Sequence, residues 1–597
     1  MKNIKFIGGG IICILLLSLL LAGCVAPKQT MVPMRDGVKL ATDSYVQKRT
    51  QPHGAIMIRT PYNKILHILD GMNWAKNGWP TVVQDMRGRY ASDGIDTVFR
   101  NEHTDGPDTL AWIANQTWSN GKIATLGGSA LGITQYLTAG ANPPQLACQY
   151  IQVATPNLYK HAMYPGGEFR KNMVEEWLKK QVIDEDILFE LLSELWAHEN
   201  YTMDYWTNVS LEDNWQDINV LAIHIGGWYD IFMQGTIDGF LGYQYLGGPG
   251  ALGKSKLILG PWTHGGAGTK TQGQLTYPSN SVDNFSQALF WQMVDEYTMG
   301  GPTDFDNASA VTYYVMGDVD NASAPGNKWR YADDWPLLCT ERAWYLQVDG
   351  SMQTTVPAGS QQFTYAYDPA NPVPTLGGGN LLIAAGPYDQ RPVENRSDVL
   401  IFTSPVLEQP YEATGAIKAR LYVSSDCPDT DFTAKLTDVY PDGRSMLITD
   451  GILRMRKRNG TDHWELMNPG TVYQVEVDLW STSYIWNTGH QIRVDISSSN
   501  YPRCLNNPNT ADGMCKNTTY ASAQNTVYVD SVRSSCLLLP EIPWNTTSQS
   551  KTWVPSFENN VFGEDHPRLK LPERLQNILN HIPILNQLSE YRPFMIN

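Results

Sequence analysis

The first half of the chain alternates short apolar runs with amphipathic stretches, and three of the runs end on a single polar residue. Ile123-Ala-Thr-Leu126 reads as a buried strand that passes through Gly127 and Gly128 into Ser129, and Ile133 to Ala139 then reads as the start of a helix. Val220-Leu-Ala-Ile-His-Ile225 reads as a second buried strand and leads through Gly226-Gly227-Trp-Tyr229 to Asp230. Leu257-Ile-Leu259 reads as a third, stopped by Gly260 and Pro261, and reaches His264 just before Gly265, Gly266 and Gly268. The strand-and-helix alternation over 31–155, resumed over 214–337, predicts an α/β unit built on a parallel sheet. The intervening 156–213 is helical in pattern, with Met173, Trp177, Val182 and Leu188 among charged residues, and predicts a helical cap inserted into that unit. From 338 to 541 the period changes: runs such as Lys418-Ala-Arg-Leu-Tyr-Val-Ser424 and Gln491-Ile-Arg-Val-Asp-Ile-Ser497 predict an antiparallel β-sandwich. A C-terminal extension, 542–597, starts polar and then places Leu575, Ile578, Leu579 and Ile582 at helical spacing, fit either to dock on the body or to contact a neighbour.

The polar residues that end the three runs carry the candidate chemistry. Serine, aspartate and histidine arrive in the order Ser…Asp…His, each just past a predicted strand, which is the order used by serine hydrolases of the α/β-hydrolase fold. A serine flanked by Gly127, Gly128 and Gly132 sits on a sharp turn, where its hydroxyl is exposed and the Ala130 amide opens a helix. In this reading Ser129 attacks an acyl carbon, His264 accepts its proton and later hands it to the leaving group, and Asp230 orients the imidazole. The Ala130 N–H stabilises the oxyanion. Taken singly, each residue has a plainer reading: a glycine-rich turn for Ser129, a loop histidine for His264, a turn residue for Asp230. His224, inside the second run, reads as a core histidine. The proposed chemistry calls for no cofactor and no metal.

The same segments resemble the cocaine esterase/X-Pro dipeptidyl-peptidase group of serine hydrolases, which includes glutaryl acylases and α-amino-acid ester hydrolases. Besides Gly227-Trp-Tyr-Asp230 and Gly260-Pro-Trp-Thr-His264, the likeness rests on Met31-Val-Pro-Met-Arg-Asp-Gly-Val-Lys-Leu-Ala-Thr-Asp43, Arg59-Thr-Pro-Tyr62-Asn-Lys64, and Val83-Gln-Asp-Met-Arg-Gly-Arg-Tyr-Ala-Ser-Asp-Gly94. In the C-terminal half it rests on Asp429-Thr-Asp-Phe-Thr-Ala-Lys-Leu436 and Ser497-Ser-Ser-Asn-Tyr-Pro502. It spans about residues 31 to 540 and looks nearest to the bacterial cocaine esterases. The resemblance implies an α/β-hydrolase core and a C-terminal jelly roll of galactose-binding-like type. It implies a second oxyanion donor in the phenol of Tyr62, which stays protonated at neutral pH with a pKa near ~10. By matched position it offers Trp177 and Phe232 to an acyl pocket and Glu168 to a substrate amine, packing or surface exposure being at least as good a reading for each and the better one for Glu168. Many members have tyrosine directly after the nucleophile, where this chain has Ala130. The expected activity is cleavage of carboxylic esters or compact acyl amides. The alternatives are an X-Pro dipeptidyl-peptidase or α-amino-acid ester hydrolase/acylase and, from another class, a non-catalytic surface binding protein on a hydrolase scaffold.

Composition narrows the partners. A net charge of −16, with no basic run, argues against nucleic acid and leaves a small-molecule substrate. At the N-terminus Lys2 and Lys5 precede the apolar stretch Phe6 to Leu21, and Leu21-Ala-Gly-Cys24 follows. That layout reads as a lipoprotein signal over 1–23 with Cys24 lipidated, although an uncleaved membrane anchor fits the same length. The expected body is exported, at the cell surface or in the periplasm, and lipid-anchored to a membrane. Beyond Cys13 and Cys24, six cysteines remain (Cys148, Cys339, Cys427, Cys504, Cys515 and Cys536) and none has zinc-site spacing. Cys504 and Cys515 bracket a turn-rich loop that a local disulfide would close. The sequence leaves the oligomeric state open.

Overall fold

The computed structural model describes residues 25–48, 51–182, 185–212, 214–513 and 519–546. The leader, Cys24, Cys515 and the helical spacing at 575–582 lie outside these residues. Among the described residues no helix is long and apolar enough to cross a membrane.

Eight strands form the first sheet: β1 (Lys28–Pro33), β2 (Lys39–Tyr45), β3 (His53–Thr60), β4 (Thr81–Asp85), β5 (Ser119–Gly128), β6 (Leu146–Gln152), β7 (Leu221–Tyr229) and β8 (Lys256–Thr263). They lie in the order β1-β2-β4-β3-β5-β6-β7-β8. The β1–β2 and β2–β4 pairs are antiparallel and all the others parallel. β9 (Val311–Gly317) extends the sheet parallel to β8, and β10 (Lys328–Ala332) closes that edge antiparallel. The parallel strands are covered on both faces, which is why β7 is buried at every position and reads as a continuous apolar run rather than an alternation. Helices α1 (Ile68–Lys76), α2 (Glu102–Ala114) and α3 (Ala130–Ala139) belong to this unit. The segment between β6 and β7 contains α4 (Lys171–Gln181) and α5 (Glu185–Ala197), with shorter turns on either side. Helices α6 (Met233–Leu241) and α7 (Ser286–Val294) complete the unit. Ser129, Asp230 and His264 each follow the carboxyl end of a parallel strand, the edge where open α/β sheets bind ligands.

The C-terminal unit has two antiparallel sheets. One contains β11 (Thr340–Leu346), β12 (Gln361–Tyr367), β14 (Tyr411–Ser425), β17 (Tyr473–Trp486), β19 (Ala523–Val529) and β20 (Cys536–Ile542). The other runs β13 (Leu400–Thr403), β18 (Gln491–Ser497), β15 (Asp431–Val439), β16 (Ser445–Arg454). The runs at 418–424 and 491–497 are thus β-strands, inside β14 and β18. Leu421, Val423, Val477 and Leu539 of the first sheet share one apolar core with Phe432, Leu436, Ile448 and Val494 of the second. Val315 and Met316 of β9 belong to the same core, and β9 pairs in parallel with β17 at Met316–Tyr484 and Gly317–Ile485. The two units are joined by one shared strand, β9, as well as by packing.

A buried charge cluster sits at this seam. The His490 imidazole meets Asp438 through Nδ1 at 2.9 Å and Asp318, which follows β9, through Nε2 at 3.4 Å. Tyr484 donates to Asp438 at 2.7 Å, and Asn487 donates to Asp318 at 3.1 Å. Burial works against the imidazolium, but the two carboxylates overcome it and raise the pKa from 6.5 to about 9. A raised folded-state value means that the stabilisation is fully present below pH 6.5 and is lost as pH rises through about 9. The melting temperature is therefore expected to fall across that interval, and replacing His490 with Gln should lower it at pH 6 by a few degrees (order of magnitude from) and flatten the dependence. Melts by circular dichroism between pH 6 and pH 10 check both; an unchanged slope in the variant would remove His490 as the cause.

Candidate active site

The turn after β5 determines what Ser129 can do. Its backbone lies at φ 57°, ψ −126°, a region that costs a non-glycine residue about 1–3 kcal/mol and is held only by surrounding structure. The Ser129 N–H donates to the Gln152 carbonyl on β6 at 3.0 Å, and the Ser129 carbonyl accepts the first helical bonds of α3 from Gly132 and Ile133. Gly132 is required where the helix meets β6, since a β-carbon there would lie 2.5 Å from the Ala154 β-carbon. Gln135 holds the turn from inside: its amide nitrogen donates to the Gly127 carbonyl and the Tyr150 carbonyl, each at 3.0 Å. The helix begins at Ala130, three residues earlier than the periodicity predicts. The Ala130 N–H thus lies in the first turn, where helix amides have no partner within their own helix.

The structure brings the three run-ending residues into one hydrogen-bonded series. Ser129 Oγ lies 2.9 Å from His264 Nε2, and His264 Nδ1 lies 2.5 Å from Asp230 Oδ2. All three are buried. The second oxygen of Asp230 accepts the Phe232 N–H at 2.7 Å, so the carboxylate is anchored on both sides. Both imidazole nitrogens are engaged, which fixes Nδ1 as the donor to Asp230 and leaves Nε2 to accept from Ser129. His224 is elsewhere: it is fully buried, bonded to the Tyr136 hydroxyl at 2.7 Å, and burial pulls its pKa down to about 3.

In front of Ser129 lies a narrow apolar pocket. Tyr62, Ser129 and Ala130 line it, together with Trp177, Phe232, Phe99, Ile133, Met173, Val174 and Leu381. Trp177 donates its indole N–H to the Tyr62 hydroxyl at 3.0 Å and stacks on Phe99, so the phenol is oriented from α4. Phe232 meets the His264 ring edge-on, with centroids 5.6 Å apart. The family resemblance is the signal that places Trp177 and Phe232 here, while Met173 lies one helical turn before Trp177 on α4. Phe99 and Leu381 carry no such signal, and Leu381 comes from the C-terminal unit.

Glu168 does not line this pocket. It is fully buried and pairs with Arg454 of β16, which also holds Asp431 at 3.0 Å. Burial, reinforced by the Asp431 and Asp429 carboxylates, pushes the Glu168 pKa well above the usual carboxylate range. Its position in the sequence resembled a substrate contact, but its side chain belongs to the seam between units. Glu175 and Glu176 are likewise engaged along their own helix, with Lys171 at 2.5 Å and Lys179 at 2.6 Å. Among the described residues, His161, Glu212 and Asp238 bring ligand-type atoms within 4.8 Å of one another. The Lys160 ammonium already bridges the two carboxylates there, at 3.2 Å from Asp238 and 3.4 Å from Glu212.

The chain is similar to known proteins over most of its length. A family model described as X-Pro dipeptidyl-peptidase (S15 family) matches residues 36–266, and one described as X-Pro dipeptidyl-peptidase C-terminal non-catalytic domain matches residues 303–538. A cocaine esterase of Rhodococcus sp. (strain MB1 Bresler) is 32% identical over 544 residues, covering 80% of this chain and 92% of that protein. Of the solved structures, an aminopeptidase from a marine sediment Thaumarchaeota archaeon superposes with a TM-score of 0.75 at 23% identity, covering 87% of this chain and 97% of that one. An α-amino acid ester hydrolase does so with a TM-score of 0.75 at 23% identity, covering 86% and 96%. At that identity the two structures speak to the fold alone.

The hydrogen-bonded series makes a direct expectation. A fluorophosphonate should label the protein covalently at Ser129, with labelling abolished by Ser129→Ala and slowed at least about 10³-fold by His264→Ala. Mass spectrometry of the modified peptide checks it, and modification at another serine would count against the site.

Proposed function

We propose that this chain, which belongs to the cocaine esterase/X-Pro dipeptidyl-peptidase family of serine hydrolases, cleaves esters of compact, uncharged acyl groups through an acyl-Ser129 intermediate. The observation that carries the reading is the apolar pocket opening onto a serine already bonded to the histidine–aspartate pair. Ser129 Oγ attacks the acyl carbon while His264 Nε2 takes its proton, Asp230 stabilises the imidazolium, and His264 returns the proton to the departing alcohol. Water, activated by the same nitrogen, then releases the acid. The Ala130 N–H and the Tyr62 hydroxyl are the two donors assigned to the oxyanion. The phenol is held for this by Trp177.

The pocket lining supports an ester over a peptide substrate. A dipeptidyl-peptidase has to hold a free ammonium, and among the described residues no carboxylate lines the pocket. Glu168, Glu175 and Glu176 are paired elsewhere. In this reading the helical 156–213 segment is a cap that supplies the pocket wall through α4, and the C-terminal unit is a jelly roll that supports it. The Leu21-Ala-Gly-Cys24 segment supports export and attachment of the body to a membrane through a lipid on Cys24.

The test compares steady-state hydrolysis of p-nitrophenyl butyrate and glycyl-prolyl-p-nitroanilide. The ester should turn over faster, with Ser129→Ala abolishing activity and Tyr62→Phe lowering kcat by about 10²–10³ at little cost in KM. Preference for the dipeptide anilide would overturn the ester reading and transfer the enzyme to the peptidases; a wild-type kcat in Tyr62→Phe would remove Tyr62 from the oxyanion site.

A further inference from the structure

We infer that residues 377–389 of the C-terminal unit, with Arg170, form a clamp that positions both Asp230 and the His264 loop, so that a domain described in relatives as non-catalytic is part of the alignment of the catalytic series. The inference rests on the acyl-serine reading above.

The clamp is built from backbone contacts. Gly377 and Gly378 lie at φ 68° and 87°, and Gly378 pairs antiparallel with Gly386 through bonds of 2.8 and 2.9 Å, closing a small loop. Asn380 ties the loop from inside by donating to the Gly377 carbonyl at 2.7 Å and the Ala384 carbonyl at 2.8 Å. One arm rests on the aspartate. Gly379 lies against the peptide of Asp230 so closely that a β-carbon would be 2.9 Å from the Asp230 carbonyl oxygen. Arg170, buried beside it, donates to the Ile231 carbonyl at 2.6 Å and to the Gly379 carbonyl at 3.5 Å. The same guanidinium thus grips the residue after Asp230 and reaches the loop that presses on it.

The other arm rests on the histidine. Gly386 and Pro387 pack against Gly273: a β-carbon on Gly273 would lie 2.6 Å from the Pro387 carbonyl, and one on Gly386 would lie 2.7 Å from the Gly273 nitrogen. Gln274 N–H donates to the Pro387 carbonyl at 2.9 Å, and its side-chain oxygen accepts the Asp389 N–H at 2.9 Å. Directly before Gly273, the buried Gln272 holds the His264 loop. Its oxygen accepts the Thr263 N–H at 2.9 Å, and its nitrogen donates to the Gly266 carbonyl at 2.8 Å. Thr263 and Gly266 flank His264 on either side. The loop therefore bears on the backbone beside both partners of Ser129, and in passing it contributes Leu381 to the pocket wall.

Gly379→Ala is the diagnostic change, because Gly379 has an ordinary φ and the backbone accepts alanine; only the Asp230 carbonyl stands in the way. Displacing the aspartate by a fraction of an ångström is expected to lower kcat for p-nitrophenyl butyrate by about 10- to 100-fold, with KM within about 2-fold by the same reasoning that uniform binding is untouched. The rate of inactivation by diisopropyl fluorophosphate, a reagent too small to need the acyl pocket, should fall in parallel. Gly359→Ala, at an exposed site in the same unit, should behave as wild type. Arg170→Lys, which keeps the charge but loses the two-carbonyl grip, tests the same arm if the alanine variant does not fold. The inference is overturned if folded Gly379→Ala inactivates and turns over at the wild-type rate. It is equally overturned if the loss merely tracks the unfolded fraction measured by circular dichroism. Failure of the wild type itself to be modified at Ser129 would instead sink the acyl-serine reading.

Discussion

Every other feature of the site depends on the backbone of one residue. Ser129 presents its hydroxyl because φ 57°, ψ −126° turns the chain sharply between β5 and α3. That conformation is unfavourable by itself and survives only because its surroundings leave no alternative. The Ser129–Gln152 bond fixes the turn to β6, Gln135 fixes Gly127 to β6 from inside, and the missing side chain of Gly132 lets the helix close on Ala154. A helix one turn further away would take the Ala130 amide with it, and a relaxed serine would point its oxygen away from His264. Strain, oxyanion donor and nucleophile are three consequences of one turn.

The aspartate and histidine are held by short local bonds, Phe232 N–H on Asp230 and Gln272 on the His264 loop, and by long-range contacts in addition. Asp230 and His264 end adjacent parallel strands, so their spacing comes from the sheet, but their orientation comes from residues outside it: Arg170 ahead of α4, and the glycine loop of the C-terminal unit. The seam that brings those elements together is unusually charged. Glu168 with Arg454 and Asp431, and His490 with Asp318 and Asp438, are buried at or near it. Buried ion pairs contribute little net stability relative to apolar packing, but a misdocked interface would leave each charge without its partner. Their arrangement therefore selects one docking geometry, which is what a backbone-to-backbone contact such as Gly379 on Asp230 demands.

What was legible in the sequence follows from how local each signal is. Ser129, Asp230 and His264 were readable because each is announced by its own strand and turn, and the order of three such turns is specific. The spacing around Trp177 shows only a helix; its place in the pocket is what the family resemblance implies. Matched position alone offers Glu168 to a substrate amine; its true partners, Arg454 and Asp431, are remote in the chain, and burial of a carboxylate leaves no local trace. The three consecutive glycines at 377–379 were visible, but a glycine run shows only that something approaches closely, not that Asp230 does. Cys24 lies outside the described residues, so the lipid anchor is a reading of sequence, whereas the expected 504–515 bridge is overturned: Cys504 is a free thiol buried beside Arg503.

The choice between ester and amide is made by binding more than by the reacting groups. The same imidazole can protonate an alkoxide or an amine, so the series Ser129–His264–Asp230 is compatible with either. A pocket walled by Phe99, Ile133, Met173, Val174 and Leu381 gains about 0.8 kcal/mol for each methylene it buries, whatever the bond to be cleaved. It discriminates between similar acyl chains by only about 1–3 kcal/mol. An ammonium is different, because taking it out of water without a carboxylate partner costs several kcal/mol, more than a short side chain returns. On the proposed reading, a pocket whose described lining holds no carboxylate therefore excludes a free amino terminus more strongly than it selects among neutral acyl groups. Selectivity in this site is first a matter of charge and only then of shape.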